Sequence, residues 1–530
     1  MKTATHAPEV KVLGRGRWMT SLTHPAVGAA VSGVLLAVAF PRLAWFPLAW
    51  VALVPLLSAT AGKAGIWRTA GLFFLAGWVF HTIHLQWLMA NIMWAGGWAL
   101  IGQQLLCAAL ALHWAGVGGL WATLAERWPR GRWVILPVLW LIMEWLMARW
   151  LSGFGWSALA YSQGSWPVAQ WAAAAGVDGV SFLVVTVNTL TAAAWVERGT
   201  GRWVRLATAA VVLAVAAAGG QWLGRSAARE SSAPMFRAAV LQTAFAQETK
   251  WDPDFAETLF AMQERMTRSL VSARPVDLVV WPEAAVPDDL ARPAVRERLI
   301  RLSKETGAAL CVGGSRGENG NDYNSAVLVT PDGGYEWYDK VHLAPFGEYI
   351  PFENGLPFLR GIAFGGVAAG MEQRLFRFNG KAIGPLICFE VLFAPMAGRL
   401  ERMGAQALVV MTNLGWFGAS NVTAQELEIA RFRAIENRLS LLHCGNTGIS
   451  GLFDPSGRFT PVHTVFYGEE PRFYDPVRID PAMVYGRRMA GVFDIPAPAP
   501  KPGLFWRLVL PGLAVLLAVI ELVQGKRHER

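Results

Sequence analysis

Three short segments of this chain carry side chains that could do covalent chemistry together. Trp281-Pro282-Glu283 sets a carboxylate just past an apolar run at 277–282. Residues 339–348 read DKVHLAPFGE and offer Lys340 and Glu348. Residues 386–390 read LICFE, a thiol where a strand ends and a helix begins. A cysteine at such a turn is exposed, and a helix N-terminus lowers its pKa. A nearby carboxylate takes its proton, and a nearby lysine stabilises an oxyanion. Taken singly, each segment has a plainer reading: a small buried thiol, a solvated cap, a soluble loop lysine. A competitor exists at 313–317 (GSRG after Gly313), which fits the G-x-S-x-G elbow. That motif needs a helix after the turn, and residues 318–322 (ENGND) form turns instead, so Ser315 is set aside. His342 reads as structural, and Cys311 and Cys444 as core. No His lies in an HExxH pattern and the four Cys lack CxxC spacing, so no metal or cofactor is expected.

The elements that must position these groups begin near Phe236. Strands are expected at 236–243, 277–282, 308–314, 324–330, 382–388, 407–412 and 440–446, and helices at 253–272, 292–306, 393–403 and 422–438. Residues 331–334 (PDGG) and 454–457 (DPSG) signal hairpins. The alternation implies a layered α/β domain with a mixed sheet. Residues 494–503 (DIPAPAPKPG) read as a Pro-rich linker.

The rest of the chain is a different material. Of 530 residues, 54% are hydrophobic and only 16% charged, below the ~25% of soluble domains. That excludes a disordered chain and an ordinary cytosolic enzyme. The net charge of +9 is too diffuse to suggest a nucleic-acid partner. A span needs about 20 mostly apolar residues. Eight runs qualify: 25–41, 44–62, two within 69–125 (parted at 91–97), 133–148, 179–196, 206–224 and 503–525. Lys2, Lys11, Arg15, Arg17, Lys63, Arg68, Arg127, Arg130, Arg132, Arg198, Arg202, Arg205, Lys526, Arg527 and Arg530 all fall on one side, against Arg42 and Arg149 on the other. The positive-inside rule then puts both termini in the cytoplasm and the stretch 230–500 outside it. The expected organisation is a membrane domain over 1–228 with seven spans, a periplasmic catalytic domain over 229–493, and a linker with the eighth span over 494–530. Glu144, inside a span, calls for a partner, and Arg149 is the expected one. Residues 151–176 suit a surface-hugging or re-entrant loop.

The order and separation of WPE, K-x-H-L-x-P-F-G-E and C-x-E resemble the nitrilase superfamily. With seven spans before and one after, the chain resembles the apolipoprotein N-acyltransferase family. Leu139-Trp140 with Glu144, Gly153-Phe154, Tyr161-Ser162-Gln163, Asn413 with Trp416-Phe417-Gly418, and Gln425 with Ala430-Arg431 and Arg433-Ala434 fit its pattern too. The resemblance implies an αββα nitrilase-like catalytic domain with Glu283 as general base, Lys340 as oxyanion or thiolate stabiliser and Cys388 as nucleophile. It implies Trp251, Glu348, Glu390, Asn413, Trp416 and Asn446 as supporting or substrate-binding residues. The chain departs from the family at Phe389, where Tyr is common, and at Gly445, which leaves Asn446 without a preceding Asn.

The implied reaction is a ping-pong acyl transfer. Cys388 takes an acyl chain from a phospholipid, phosphatidylethanolamine foremost, and passes it to the N-terminal diacylglyceryl-cysteine of an apolipoprotein at the bacterial inner membrane. Residues 346–370 are apolar and Gly-rich, with Phe346, Ile350, Phe352, Leu356, Phe358, Leu359, Ile362 and Phe364. An apolar lid for acyl chains is expected there. The alternative is a membrane-anchored nitrilase-type amidase that hydrolyses a small amide. A catalytically idle scaffold or transporter would not need the Glu–Lys–Cys set.

Overall fold

A computed structural model describes residues 24–512, apart from 42, 62–64, 92–95, 130, 151, 197–198, 232, 352–364, 468–469 and 474–486. The centre of the expected lid and the second half of the expected eighth span lie outside the described residues.

The N-terminal region is helical: α1 (Pro25–Ala39), α2 (Val54–Thr60), α3 (Ile66–His84), α4 (Trp98–Arg127), α5 (Arg132–Met147), α6 (Ala172–Val196) and α7 (Gly201–Glu230). Among the described residues, three stretches, Trp98–Arg127, Pro167–Val196 and Gly201–Glu230, are long and apolar enough to cross a membrane. The run at 44–62 is broken, with a 3-10 turn at Phe46–Trp50 before α2. Residues 152–171 hold three 3-10 turns, whose Trp156, Leu159, Tyr161, Gln163, Val168 and Trp171 are buried, and α6 takes over at Ala172.

Glu144 does not pair with Arg149. Its Oε1 accepts from Trp140 Nε1 at 2.8 Å and from Leu159 N at 3.0 Å, while Arg149 lies over the Trp145 ring. Residues five apart on a helix point about 140° apart, whereas Trp140, four before Glu144, shares its face.

The C-terminal region contributes strands β1 (Pro234–Gln242), β2 (Leu278–Val280), β3 (Val286–Asp289), β4 (Ala309–Glu318), β5 (Asn321–Val329), β6 (Tyr335–Asp339), β7 (Val367–Ala368), β8 (Phe376–Phe378), β9 (Lys381–Ile387), β10 (Ala407–Thr412), β11 (Ser440–Gly445), β12 (Gly451–Phe453), β13 (Phe459–Pro461), β14 (Thr464–Tyr467), β15 (Glu470–Phe473) and β16 (Met489–Pro496). Helices α8 (Ala256–Ala273), α9 (Pro293–Thr306), α10 (Ala394–Arg402) and α11 (Val422–Asn437) pack on them. One sheet runs β15-β14-β16-β1-β2-β4-β5-β6, with β3 on β4 and β7 on β5. The other runs β13-β12-β11-β10-β9-β8. The PDGG turn joins β5 to β6 and the DPSG turn joins β12 to β13.

Alternation along the strands builds the layers. Ala238, Val240 and Val280 of the first sheet meet Ile383, Ile387, Val409 and Leu442 of the second in one core. Ala239, Leu241 and Val279 face Phe260, Leu270 and Leu299 of α8 and α9 on the other side. Leu386, Leu408 and Val410 face α10 and α11, and that core is continuous with the membrane helices. The result is an αββα sandwich with one helical layer fused to the N-terminal region.

A central strand of the first sheet, not expected from the sequence, runs into the start of the expected linker. β16 pairs antiparallel with β1 from Gln242↔Met489 to Pro234↔Pro496, so the linker starts only after Pro496.

The two halves meet on polar contacts. Buried Gln425 of α11 accepts from Trp87 Nε1 at 3.1 Å and Trp156 Nε1 at 2.5 Å, and donates to His84 O at 2.9 Å. Gln425→Leu should orphan both indoles and the carbonyl, at about 1–3 kcal/mol for each buried group left unsatisfied. The expected readout is a clear drop in the melting temperature of the detergent-solubilised protein. An unchanged melting curve would mean the junction does not depend on this amide.

Candidate active site

Each of the three segments sits where a strand of one sheet ends. Glu283 follows β2, Lys340 follows β6 and Cys388 follows β9. Two close approaches make this work. Cys388 itself adopts φ 49°, and Ala284 beside Glu283 also has φ 49°. Left-handed non-glycine residues cost about 1–3 kcal/mol each and gather at functional sites. A Cβ on Gly313 would lie 2.5 Å from Pro282 O and 2.8 Å from Glu283 Cα. That explains the glycine of the G-x-S-x-G match. Ser315 sits mid-strand in β4, with no helix after it, and is no nucleophile elbow.

Buried Glu283 and Lys340 form one group with the partly buried Glu348. Lys340 Nζ lies 2.8 Å from Glu348 Oε2, 3.0 Å from Glu348 Oε1 and 3.6 Å from Glu283 Oε1. Asn324 Nδ2 donates to Glu283 Oε1 at 2.8 Å and to Glu348 Oε1 at 2.7 Å. Ala344 N donates to Glu348 Oε2 at 2.7 Å. Burial works against the Lys340 charge, but Glu348, Glu283 and Cys388 outweigh it and hold the ammonium well above its ordinary range.

Glu390 braces the site from beneath. Its Oε1 accepts from Tyr338 OH at 2.6 Å, Val341 N at 2.8 Å and His342 N at 3.1 Å, and its Oε2 accepts from Ile387 N at 2.8 Å. One carboxylate thus ties the Lys340 segment to the Cys388 turn. Burial pushes this carboxyl above its usual range, and the donors work against that push.

A second network joins the other expected residues. Asn446 Nδ2 and Gln247 Nε2 both donate to Asn413 Oδ1, at 3.1 and 2.9 Å. Trp251 Nε1 donates to Gln247 Oε1 at 2.9 Å, and the exposed Trp251 ring stacks on Trp416 at 6.2 Å. His342 is structural: Nε2 donates to Ser152 O at 2.7 Å and the ring lies 3.7 Å from that of Phe393. Cys107, Cys311 and Cys444 are buried, and Cys388 is partly open.

The Cys388 thiol departs from expectation. It opens a 3-10 turn of five residues, Cys388–Leu392, and α10 starts only at Ala394, so no long helix points at the sulfur. Burial pushes the thiol well above its usual range, and Glu283 and Glu426 push the same way. Lys340 and a hydrogen bond with Thr412 oppose them. Asn324, Gln247, Thr412 and Lys250 were not singled out from the sequence. Among the described residues, no group of three or more His, Cys, Asp or Glu is placed to hold a metal.

The αββα half has the fold of the carbon-nitrogen hydrolases, whose family model matches residues 237–468. The apolipoprotein N-acyltransferase N-terminal domain model matches residues 32–190. The apolipoprotein N-acyltransferase of Geobacter metallireducens is 33% identical over 483 residues, covering 88% of this chain and 91% of that one. That of Azotobacter vinelandii is 30% identical, covering 97% of this chain and 98% of its own. Among solved structures, an amidase from Nesterenkonia sp. is similar over 50% of this chain and 91% of its own, at 21% identity and a TM-score of 0.35. The chain belongs to the apolipoprotein N-acyltransferase family.

The raised thiol has a direct readout. Iodoacetamide should alkylate Cys388 slowly at neutral pH, and the rate should still climb roughly tenfold per pH unit through pH 9, as for a group below its pKa. A plateau near pH 8 would mean that the thiolate is already present at rest.

Proposed function

We propose that this enzyme moves a fatty acyl chain from a membrane phospholipid to the N-terminal amine of a diacylglyceryl-modified apolipoprotein, through a thioester on Cys388. Phosphatidylethanolamine is the expected donor. In the first half, Glu283 takes the Sγ proton as sulfur attacks the ester carbonyl, and returns it to the departing glycerol oxygen as lysophospholipid leaves. Lys340 Nζ steadies negative charge on sulfur and on the carbonyl oxygen. In the second half, the neutral α-amine attacks the thioester. Its proton passes by way of Glu283 to the departing sulfur, and an amide results. Glu348, Glu390 and Asn324 hold the charged groups in place, while Trp251, Trp416, Asn413 and Asn446 line the approach.

One observation carries a lipid substrate over a small soluble amide: the nucleophile turn is seated on the apolar helical half. A Cβ on Gly153 would touch Phe393 Cε1 at 2.9 Å, one on Gly155 would touch Leu392 O at 3.4 Å, and the His342–Ser152 contact lies beside them. We place the catalytic unit on the periplasmic side of the bacterial inner membrane, with seven spans before it, one after it and both termini cytoplasmic. The alternation of basic residues supports this arrangement.

Cys388→Ala should abolish hydroxylamine-cleavable acyl label from phospholipid, while Cys311→Ala and Cys444→Ala keep it. Glu283→Gln should cut thioester formation by about 10²–10⁴-fold. Wild-type label in Glu283→Gln with only amide formation lost would overturn the base assignment.

Topology is tested separately. A reporter fused after residue 235 should read as periplasmic and one after residue 200 as cytoplasmic. The reverse pattern would overturn the orientation.

A further inference from the structure

The site has more negative charge than Lys340 alone can balance. Its two closest oxygens both belong to Glu348, and Glu283 is farther away at 3.6 Å. Asn324 touches both carboxylates but is neutral. On the far side of Cys388, Glu426 is also buried. It accepts from Thr412 Oγ1 at 3.1 Å and stands 3.6 Å from His443 Nε2. The reaction then asks sulfur to carry a further negative charge.

A second lysine lies on this pocket. Lys250 ends the helical turn Gln247–Lys250 and is almost wholly buried. Its Nζ donates to the main-chain oxygen of Glu283 at 2.9 Å, and the charges it feels are those of Glu283 and Cys388. Among the described residues it makes no ion pair with a carboxylate. A buried ammonium without such a partner is costly, and this one is held on the main chain of Glu283 itself.

We infer that Lys250 is a positioning residue of the acylation step, anchoring the main chain of Glu283 and supplying the counter-charge that lets sulfur take on negative charge. The inference rests on the reading of Glu283 as base. The groups facing Glu283 are then Lys340, Glu348, Cys388, the Asn324 amide and Lys250. Removing Lys250 leaves two carboxylates, one ammonium and a nascent thiolate. Burial pulls the Lys250 ammonium down to about 8, against the opposing pull of Glu283 and Cys388, so its charge is lost on the alkaline side.

The test follows acyl-enzyme formation by the full-length protein, in detergent micelles containing phosphatidylethanolamine, from pH 5 to 10. Lys250→Met should slow acylation at least tenfold at neutral pH and move the acid limb upward by about one pH unit, the effect of removing a close opposite charge. Lys250→Arg keeps a charge that does not titrate in this range. It should retain the acid limb and move the alkaline limb to higher pH. An even loss at every pH, with both limbs where the wild type has them, would make Lys250 a mere prop for the Glu283 carbonyl and overturn the inference. Unchanged rates would overturn it as well. If Lys250→Met fails to fold, the alkaline limb of Lys250→Arg decides alone, and an unmoved limb refutes the charge role. Glu283→Gln is run in parallel. If it acylates at the wild-type rate, the base reading itself fails. If it is inactive while the Lys250 variants keep wild-type limbs, only the present inference fails.

Discussion

Two carboxylates, Glu283 and Glu348, crowd one buried ammonium, Lys340, and the rest of the structure answers to that constraint. Two like charges about 4 Å apart repel by roughly 4 kcal/mol in a protein-like dielectric, and Glu283 and Glu348 share one amide and one ammonium. They stay together because Asn324 gives each carboxylate one N–H and Lys340 stands between them. The left-handed turns at Ala284 and Cys388 store strain that two packed sheets and the Glu390 brace hold in place. A fully solvated cluster would need none of this, because water and salt would screen the same charges.

The parts legible in the sequence were those announced by strand ends. Glu283 and Cys388 each close an apolar strand, so pattern and chemistry coincide there, whereas Lys340 follows a strand the pattern did not show and stood out only by its own segment, DKVHLAPFGE. Asn324 was not legible, because it sits inside β5 among other polar residues, and only the fold brings two glutamates to it. Lys250 lies in a short polar stretch that looks like any solvated turn. β6 (YEWYD) and β16 were missed for related reasons: one is short and half acidic, and the other merges into a run of prolines and finds its partner some 250 residues away. The Glu144–Arg149 pairing failed on helical geometry. The expected lowering of the Cys388 thiol failed because loss of water outweighs what a single helical turn supplies.

The two halves are not independent bodies joined by a cord. Gln425 gathers side chains and a carbonyl from two different parts of the helical region, and its neighbour Glu426 reaches Thr412 behind the nucleophile. Arg433 Nη2, also on α11, donates to Tyr161 OH at 3.0 Å. A helix that forms the outer layer of the sandwich is therefore also part of the helical core. The height of Cys388 relative to the apolar helices is set by packing and does not depend on linker length.

The pairing of β1 with β16 has a consequence for how the protein is made. β1 is among the first catalytic elements to leave the ribosome and β16 is the last, so the first sheet has an open seam until almost the whole chain has been synthesised. Until then β1 presents an unpaired edge of apolar residues, the kind of edge that recruits strands from other chains. Contacts this distant in sequence also form slowly. The strand-built half therefore completes its first sheet late, as a closure beside its own helical half. A chain that stops short of β16 leaves an open template where the finished protein has a buried strand.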